Sequence, residues 1–243
     1  MPRFFVERDA FTEGGILLTG ENAHHLSYSL RGRVGDSVDV CDGRGSLFRC
    51  TVTAMDGVRV ELSIDEELAA DTEPPYEAVL CQAIPKGDKM DLIVQKAVEL
   101  GVSRIIPFES ANCVAKIKPE QREKKTARWQ RIAEEAAKQC GRGIIPTVGE
   151  PCTFAQMLAT CGGKHRYFCY ECGGQALPEA LSGVGEDDDP VYFMIGPEGG
   201  FSPAEAESAV ASGFTAVTLG RRILRAETAP IFFLSALSYG FEK

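Results

Sequence analysis

Met194-Ile195-Gly196-Pro197-Glu198-Gly199-Gly200-Phe201-Ser202-Pro203-Ala204-Glu205 runs from an apolar strand through a glycine-rich turn into the start of a helix. Ser202 suits the N-cap, Pro203 the first helical position, and Glu205 the far end of a capping box. Three glycines let a ligand approach the backbone closely, and free N–H groups at such a turn bind polar ligand atoms. The stretch is neither G-x-G-x-x-G nor a P-loop, so a nucleotide-phosphate site is disfavoured. The plain alternative is a strand-to-helix turn with no ligand.

A second loop repeats the theme: Leu219-Gly220-Arg221-Arg222-Ile223-Leu224-Arg225-Ala226-Glu227-Thr228-Ala229-Pro230. A strand is predicted before it and the last helix after it, with Thr228 as N-cap and Pro230 in the first turn. Two strand ends carrying glycine loops fit the rule that ligands sit at the carboxyl ends of parallel strands. Its three arginines suit phosphate or carboxylate, or simply face solvent.

Outward from these loops, strands alternate with helices. Residues 78–83, 102–108, 165–170, 190–195 and 215–219 read as strands. A helix over 88–100 puts Met90, Ile93, Val94, Ala97 and Val98 on one face, and Gly101 ends it. A second, over 118–142, buries Trp129, Ile132, Ala133, Ala136 and Ala137. From Lys116 to Arg142 nine Lys or Arg stand against four Glu, a local basic surface or a solvated face. This rhythm predicts a mostly parallel sheet with helices on both faces. An acidic turn follows at Glu186-Asp187-Asp188-Asp189.

The rhythm differs before Asp71-Thr72-Glu73-Pro74-Pro75, the predicted boundary. Residues 37–41 and 47–52 alternate apolar and polar, with turns at Asp42-Gly43-Arg44-Gly45 and Asp56-Gly57. Asp56-Gly57 between residues 51–55 and 58–62 is a hairpin signal. The first module is therefore expected to be small and mostly β, a barrel, with His24-His25 at a turn on the core edge. Arg31-Gly32-Arg33 is its candidate RNA-phosphate contact.

The 243 residues are 44% apolar and 25% charged with a net charge of −9, which excludes disordered and fibrous classes and a uniformly basic nucleic-acid coat. No run approaches the ~18–20 apolar residues of a membrane span. The opening Met1-Pro2-Arg3-Phe4-Phe5-Val6-Glu7 does not read as a signal peptide. Nine cysteines, an odd number in a chain this long, do not make a disulfide framework. Cys169 and Cys172 form a lone C-x-x-C without a second pair at zinc spacing, and only His24, His25 and His165 are available. No metal and a cytoplasmic location are the expectations.

Taken together, the two loops closely resemble the RsmE family, S-adenosylmethionine-dependent small-subunit (16S) ribosomal RNA uridine-N3 methyltransferases of the SPOUT superfamily. Supporting segments are His24-His25-Leu26 with Leu30-Arg31 and Gly35-Asp36, then Lys86-Gly87-Asp88-Lys89-Met90, Gln95-Lys96-Ala97-Val98-Glu99-Leu100-Gly101-Val102 and Gln139-Cys140-Gly141-Arg142. The similarity covers nearly the whole chain in order.

The resemblance implies a PUA-like RNA-binding β-barrel over 1–72 and an α/β SPOUT domain over 73–243 with a C-terminal trefoil knot, in a homodimer. Nothing in the periodicity itself indicates a knot. It places the cofactor against Ile195, Gly196, Pro197, Glu198, Gly199, Gly200, Leu219, Gly220, Arg222, Ile223, Leu224 and Thr228, with Glu171 in the remaining wall. Arg142 and Arg225 are the candidates for stabilising a uridinate oxygen, Arg142 across the dimer interface. Glu227 or Glu198 would take the N3 proton, or brace a loop or helix end instead. RNA contacts are expected from Arg3, Arg31, Arg33, Lys86 and Lys89. Two departures stand out. The family's Ser-x-Arg-Ser/Cys-Val appears as Ser110-Ala111-Asn112-Cys113-Val114, and its Leu-Gly-Pro-Arg as Leu219-Gly220-Arg221-Arg222. Competing readings are a methyltransferase acting on another RNA, a silent RNA-binding or ribosome-assembly factor, and a doubly wound nucleotide enzyme.

Overall fold

A computed structural model describes residues 1–69, 72–185 and 188–242. Asp71 of the predicted boundary and Glu186 and Asp187 of the acidic turn lie outside the described residues. The chain separates into two units, Met1–Glu73 with Ala137–Ile145, and Pro74–Ala136 with Pro146–Lys243. The first therefore includes a segment that a contiguous 1–72 division leaves out. Glu73 is one tie, its carboxylate accepting from the Gly143 and Ile144 amides at 3.0 and 3.1 Å and pairing with Arg142, and the Ile145 amide, which donates to Gly43 O at 3.4 Å, is another.

In the first unit, β1 (Arg3–Phe5), β2 (Phe11–Thr12), β3 (Gly15–Leu18), β4 (Ser37–Cys41), β5 (Leu47–Met55) and β6 (Val60–Leu68) make one sheet in the order β1-β4-β5-β6-β3-β2. β1 runs parallel to β4 and the other pairs are antiparallel. Among the described residues β1 and β2 do not pair, so the ladder is an open path rather than a closed barrel. Phe4, Ile16, Leu18, Val38, Val40 and Val60 form its core. The Asp56-Gly57 hairpin is present, but its second strand starts at Val60 rather than Val58. The Asp56 carboxylate captures the Val58 and Arg59 amides at 2.9 and 2.7 Å and turns them into the loop. His24 and His25 do not sit in a turn at the core edge. They lie on α1 (Gly20–His24) and the π-helical turn that continues it, both exposed, because Ala23 and Leu26 take the buried side.

The second unit begins with β7 (Ala78–Ala83), then α2 (Lys89–Glu99), β8 (Val102–Glu109) and α3 (Pro119–Cys140), whose last turn belongs to the first unit. There follow β9 (Thr147–Val148), β10 (Cys152–Thr153), α4 (Phe154–Thr160), β11 (Arg166–Cys169), β12 (Gln175–Ala176) and α5 (Leu177–Ala180). β13 (Val191–Ile195), α6 (Pro203–Ala211), β14 (Thr215–Thr218) and α7 (Thr228–Phe241) complete it. Every strand pair is parallel, in the order β10-β8-β7-β13-β11-β14-β12, with β9 also on β8. β7 and β13 are buried along their whole length, as continuous apolar runs between two helical layers should be. On one face α7 packs, with Phe233 stacked on Phe193 at 4.3 Å between ring centroids. The other face carries Val79, Cys81, Phe108, Met157, Phe168 and Met194.

Candidate functional site

Three neighbouring strands, β13, β11 and β14, end side by side at Ile195, Cys169 and Thr218. The loops that leave them enclose a cleft of about 500 Å³, within the range of small-molecule sites. Residues 195–200, Glu171, Leu219, Gly220, Arg222, Ile223, Leu224 and Arg225 all line it. Arg221, Cys169, Tyr170, Thr218 and Lys89 line it too.

The predicted capping box is present. Ser202 caps α6, its Oγ accepts from the Glu205 amide at 3.3 Å, and Glu205 reaches back to the Ser202 amide at 2.9 Å. Glu205 does more than the sequence indicated. Its buried carboxylate also accepts from Ser110 Oγ at 3.2 Å and the Ala111 amide at 2.8 Å, joining the end of β8 to the start of α6. Burial opposes its charge, but these donors outweigh that and hold its pKa below the usual value.

The glycines of the first loop line the cleft, and they are also needed where the chain meets itself. A Cβ on Gly196 would lie 3.1 Å from the Phe201 ring, one on Gly199 would lie 3.1 Å from Asn112, and one on Gly200 would overlap the Glu171 carboxylate. Their missing side chains make room for the chain itself. Gly200 also has a φ of +66°, and its amide closes a turn onto Pro197 O at 2.9 Å. Gly220 is the open one, at φ +103° with nothing within 4 Å of a Cβ.

Lys89, expected to face RNA, instead holds two carboxylates together. Its ammonium lies 2.9 Å from Glu198 and 3.1 Å from Glu227, and Glu198 also accepts from the Lys86 amide at 3.2 Å. The two hydrogen-bonded carboxylates raise the Lys89 pKa. Desolvation pushes the Glu198 and Glu227 pKa values up, but hydrogen bonds and the Lys89 charge push harder, and both are lowered. Lys89 is the first residue of α2, at the carboxyl end of β7, so the strand-end rule was the signal that would have placed it here.

Glu227 and Thr228 do not line the cleft. Thr228 is also not the N-cap of α7; Glu227 is, and Thr228 is the first helical residue, its amide bonded to Arg225 O at 2.9 Å. Arg142 belongs to the first unit and does not line the cleft. It is only 4% exposed, and its guanidinium pairs with Glu73 at 2.6 Å. Arg3 is occupied by Gly141 O and lies 3.9 Å from Asp39, whereas Arg31, Arg33 and Lys86 are exposed. Arg221, Arg222 and Arg225 are exposed, and among the described residues none of them is ion-paired. Cys169 and Cys172 are free thiols.

Known proteins decide the family. Residues 72–238 match the model of an RNA methyltransferase domain, and residues 18–65 match that of an RNA methyltransferase PUA domain. The ribosomal RNA small subunit methyltransferase E of Bacillus subtilis is 33% identical, over 100% of this chain and 98% of its own length. The chain belongs to the ribosomal RNA small subunit methyltransferase E family. The Synechocystis member is 32% identical, over 97% of this chain and 77% of its own length. A crystal structure of methyltransferase E from Neisseria gonorrhoeae, bound to S-adenosyl methionine, matches 99% of this chain and 98% of its own with a TM-score of 0.87 at 32% identity. The family's PUA-like domain thus precedes its α/β methyltransferase domain. Among the described residues no helix is long and apolar enough to cross a membrane.

Proposed function

We propose that this chain methylates N3 of one uridine in 16S ribosomal RNA, with S-adenosylmethionine bound in the cleft at the ends of β11, β13 and β14. The observation that carries the reading is the convergence of the two glycine loops on that single cleft, in a chain whose relative binds the same cofactor. The residues present fit it. Ile195, Leu219, Leu224 and Ala226 offer an apolar wall, Gly220 leaves open backbone, and Lys89 with Glu198 offers both charges to an amino-acid end.

S-adenosylmethionine, when bound, supplies a methyl group already activated on a sulfonium. The protein's work is then positioning and charge. Uracil N3 is a poor nucleophile until its proton leaves, and the unpaired Arg225 guanidinium in the cleft is assigned to stabilise the developing charge on a uracil oxygen. Arg142 is left out of the reacting set, because Glu73 already neutralises it. The Lys89 ammonium occupies both Glu198 and Glu227, so both are assigned as struts of the cleft wall rather than as the base, and the N3 proton is assigned to leave to bulk solvent as the uridinate forms.

Arg225→Ala is expected to slow single-turnover methyl transfer about 10²-fold, as for loss of one oxyanion donor. Glu227→Gln should instead weaken cofactor binding severalfold and leave the single-turnover rate within about threefold. A large rate loss in Glu227→Gln with intact binding would restore Glu227 as the base.

The target base must leave any stack, so a looped or flipped uridine is the substrate form. Arg31, Arg33 and Lys86, with Arg221 and Arg222 at the cleft, are assigned to its phosphates. A trefoil knot, a homodimer and action in the cytoplasm go with this function. The placement of β11 between the later strands β13 and β14 supports the knot, and the exposed Phe232 and Tyr239 of α7 support the dimer.

The test is transfer of labelled methyl to small ribosomal subunits lacking N3-methyluridine, followed by nucleoside mass analysis. N3-methyluridine at one site is the expected result. Cofactor binding without transfer would favour another RNA, and loss of both would favour a silent binding factor.

A further inference from the structure

Asn112 is the residue to which the sequence assigned no role. The turn after β8 reaches the first glycine loop from outside the cleft, for Asn112 is not among the residues lining it. Asn112 Nδ2 donates to the carbonyl oxygens of both Gly199 and Gly200, each at 3.2 Å. Among the described residues no other side chain bonds either carbonyl. The same turn holds the next segment through Ser110 and Ala111, both donating to Glu205, which in turn holds Ser202. Residues 199–202 are thus gripped twice, at the helix start through the buried Glu205 and at the double glycine through the exposed Asn112.

The two grips differ in kind. Glu205 is buried and supports the fold. Asn112 is exposed, so its bonds add little to stability. What they restrict is Gly199-Gly200, the pair of residues with the most backbone freedom in the cleft wall. In a trans peptide the C=O and N–H point in opposite directions, so a carbonyl held on Asn112 also sets the amide that follows it. A loop ordered in advance loses less entropy when it closes on a ligand.

We infer that Asn112 is a positioning residue for the cofactor. It acts through Gly199 and Gly200 to pre-order the cleft wall and so sets cofactor affinity rather than the rate of transfer. The inference rests on the reading of this cleft as the S-adenosylmethionine site.

The test uses the full chain, with Asn112→Ala and Asn112→Asp. Without cofactor, amide exchange at Gly200 should quicken about tenfold in Asn112→Ala, which frees the double glycine. By calorimetry S-adenosylmethionine should bind about tenfold more weakly to Asn112→Ala, a loss in line with two exposed hydrogen bonds. Asn112→Asp should bind weaker still, since its carboxylate would face two carbonyl oxygens. Turnover at saturating cofactor should stay within about twofold, and the melting temperature should hold. Unchanged exchange with unchanged affinity would overturn the inference, as would a fall in turnover at full saturation or a loss of fold stability matching the loss of affinity. If the wild-type chain does not bind S-adenosylmethionine, the proposed function fails, while the exchange comparison still decides whether Asn112 orders the loop.

Discussion

Arg142→Ala is expected to destabilise the first unit by about 3 kcal/mol, the low end of the range for removing one partner of a buried ion pair. Arg142 is 4% exposed, and its Nε and a terminal nitrogen reach the Glu73 carboxylate at 3.1 and 2.6 Å. Truncation would leave that carboxylate with the Gly143 and Ile144 amides and no cation beside it. The figure stays at the low end because the Glu73 side chain keeps 19% of its exposure. For a unit of this size the melting temperature should fall by ~10–20 °C. Arg142→Lys should lose roughly half as much, keeping the charge but not the planar fork. Scanning calorimetry of the three proteins checks this. A variant that melts with the wild type yet transfers no methyl would return Arg142 to the chemistry.

Glu205→Ala should be at least as costly to the second unit, about 3–4 kcal/mol. It strands the Ser110 hydroxyl in a buried setting and the Ser202 and Ala111 amides and the Ser202 hydroxyl in a half-buried one. An unsatisfied buried donor costs ~1–3 kcal/mol and a lost cap about 1 kcal/mol, and the hydroxyls recover part of this by turning elsewhere. Glu205→Gln should lose less, because one amide oxygen can still accept. The same residue sets a pH dependence. Its folded pKa is below the unfolded value near 4.5, so its stabilisation is fully present above that pH. It is lost as pH falls through the lower, folded value. Urea titrations of wild type and Glu205→Gln should therefore converge as the pH drops below about 4.5. Parallel curves down to strong acid would show that the carboxylate charge is not what the four donors hold.

The reach of sequence reasoning follows the range of the interactions. Much of what is decided within a few residues was legible: the capping box of α6, the buried face of α2, the stop at Gly101, the Asp56-Gly57 turn and the parallel-strand rhythm. Even there, side-chain chemistry moved the edges, as when the Asp56 carboxylate drew Val58 and Arg59 out of the strand. Most of the cleft wall was legible for the same reason, since residues 195–200 and 219–225 are consecutive loop residues at strand ends.

By itself the sequence determined the α/β class of the larger unit, the β character of the first, the two loops that make the cleft and, through its resemblance, the family. Only the tertiary structure decided which partner each charged or polar side chain takes. Lys89 stands between two carboxylates more than a hundred residues away, Arg142 is neutralised by Glu73, and Asn112 and Glu205 reach across from one strand end to another. A hydrogen bond or ion pair depends on a few ångströms of separation, and no periodicity in the chain encodes a separation between residues brought together by strand order. The same reason explains the glycines, whose spacing announced a close approach while only packing showed that Phe201, Asn112 and Glu171 fill the space.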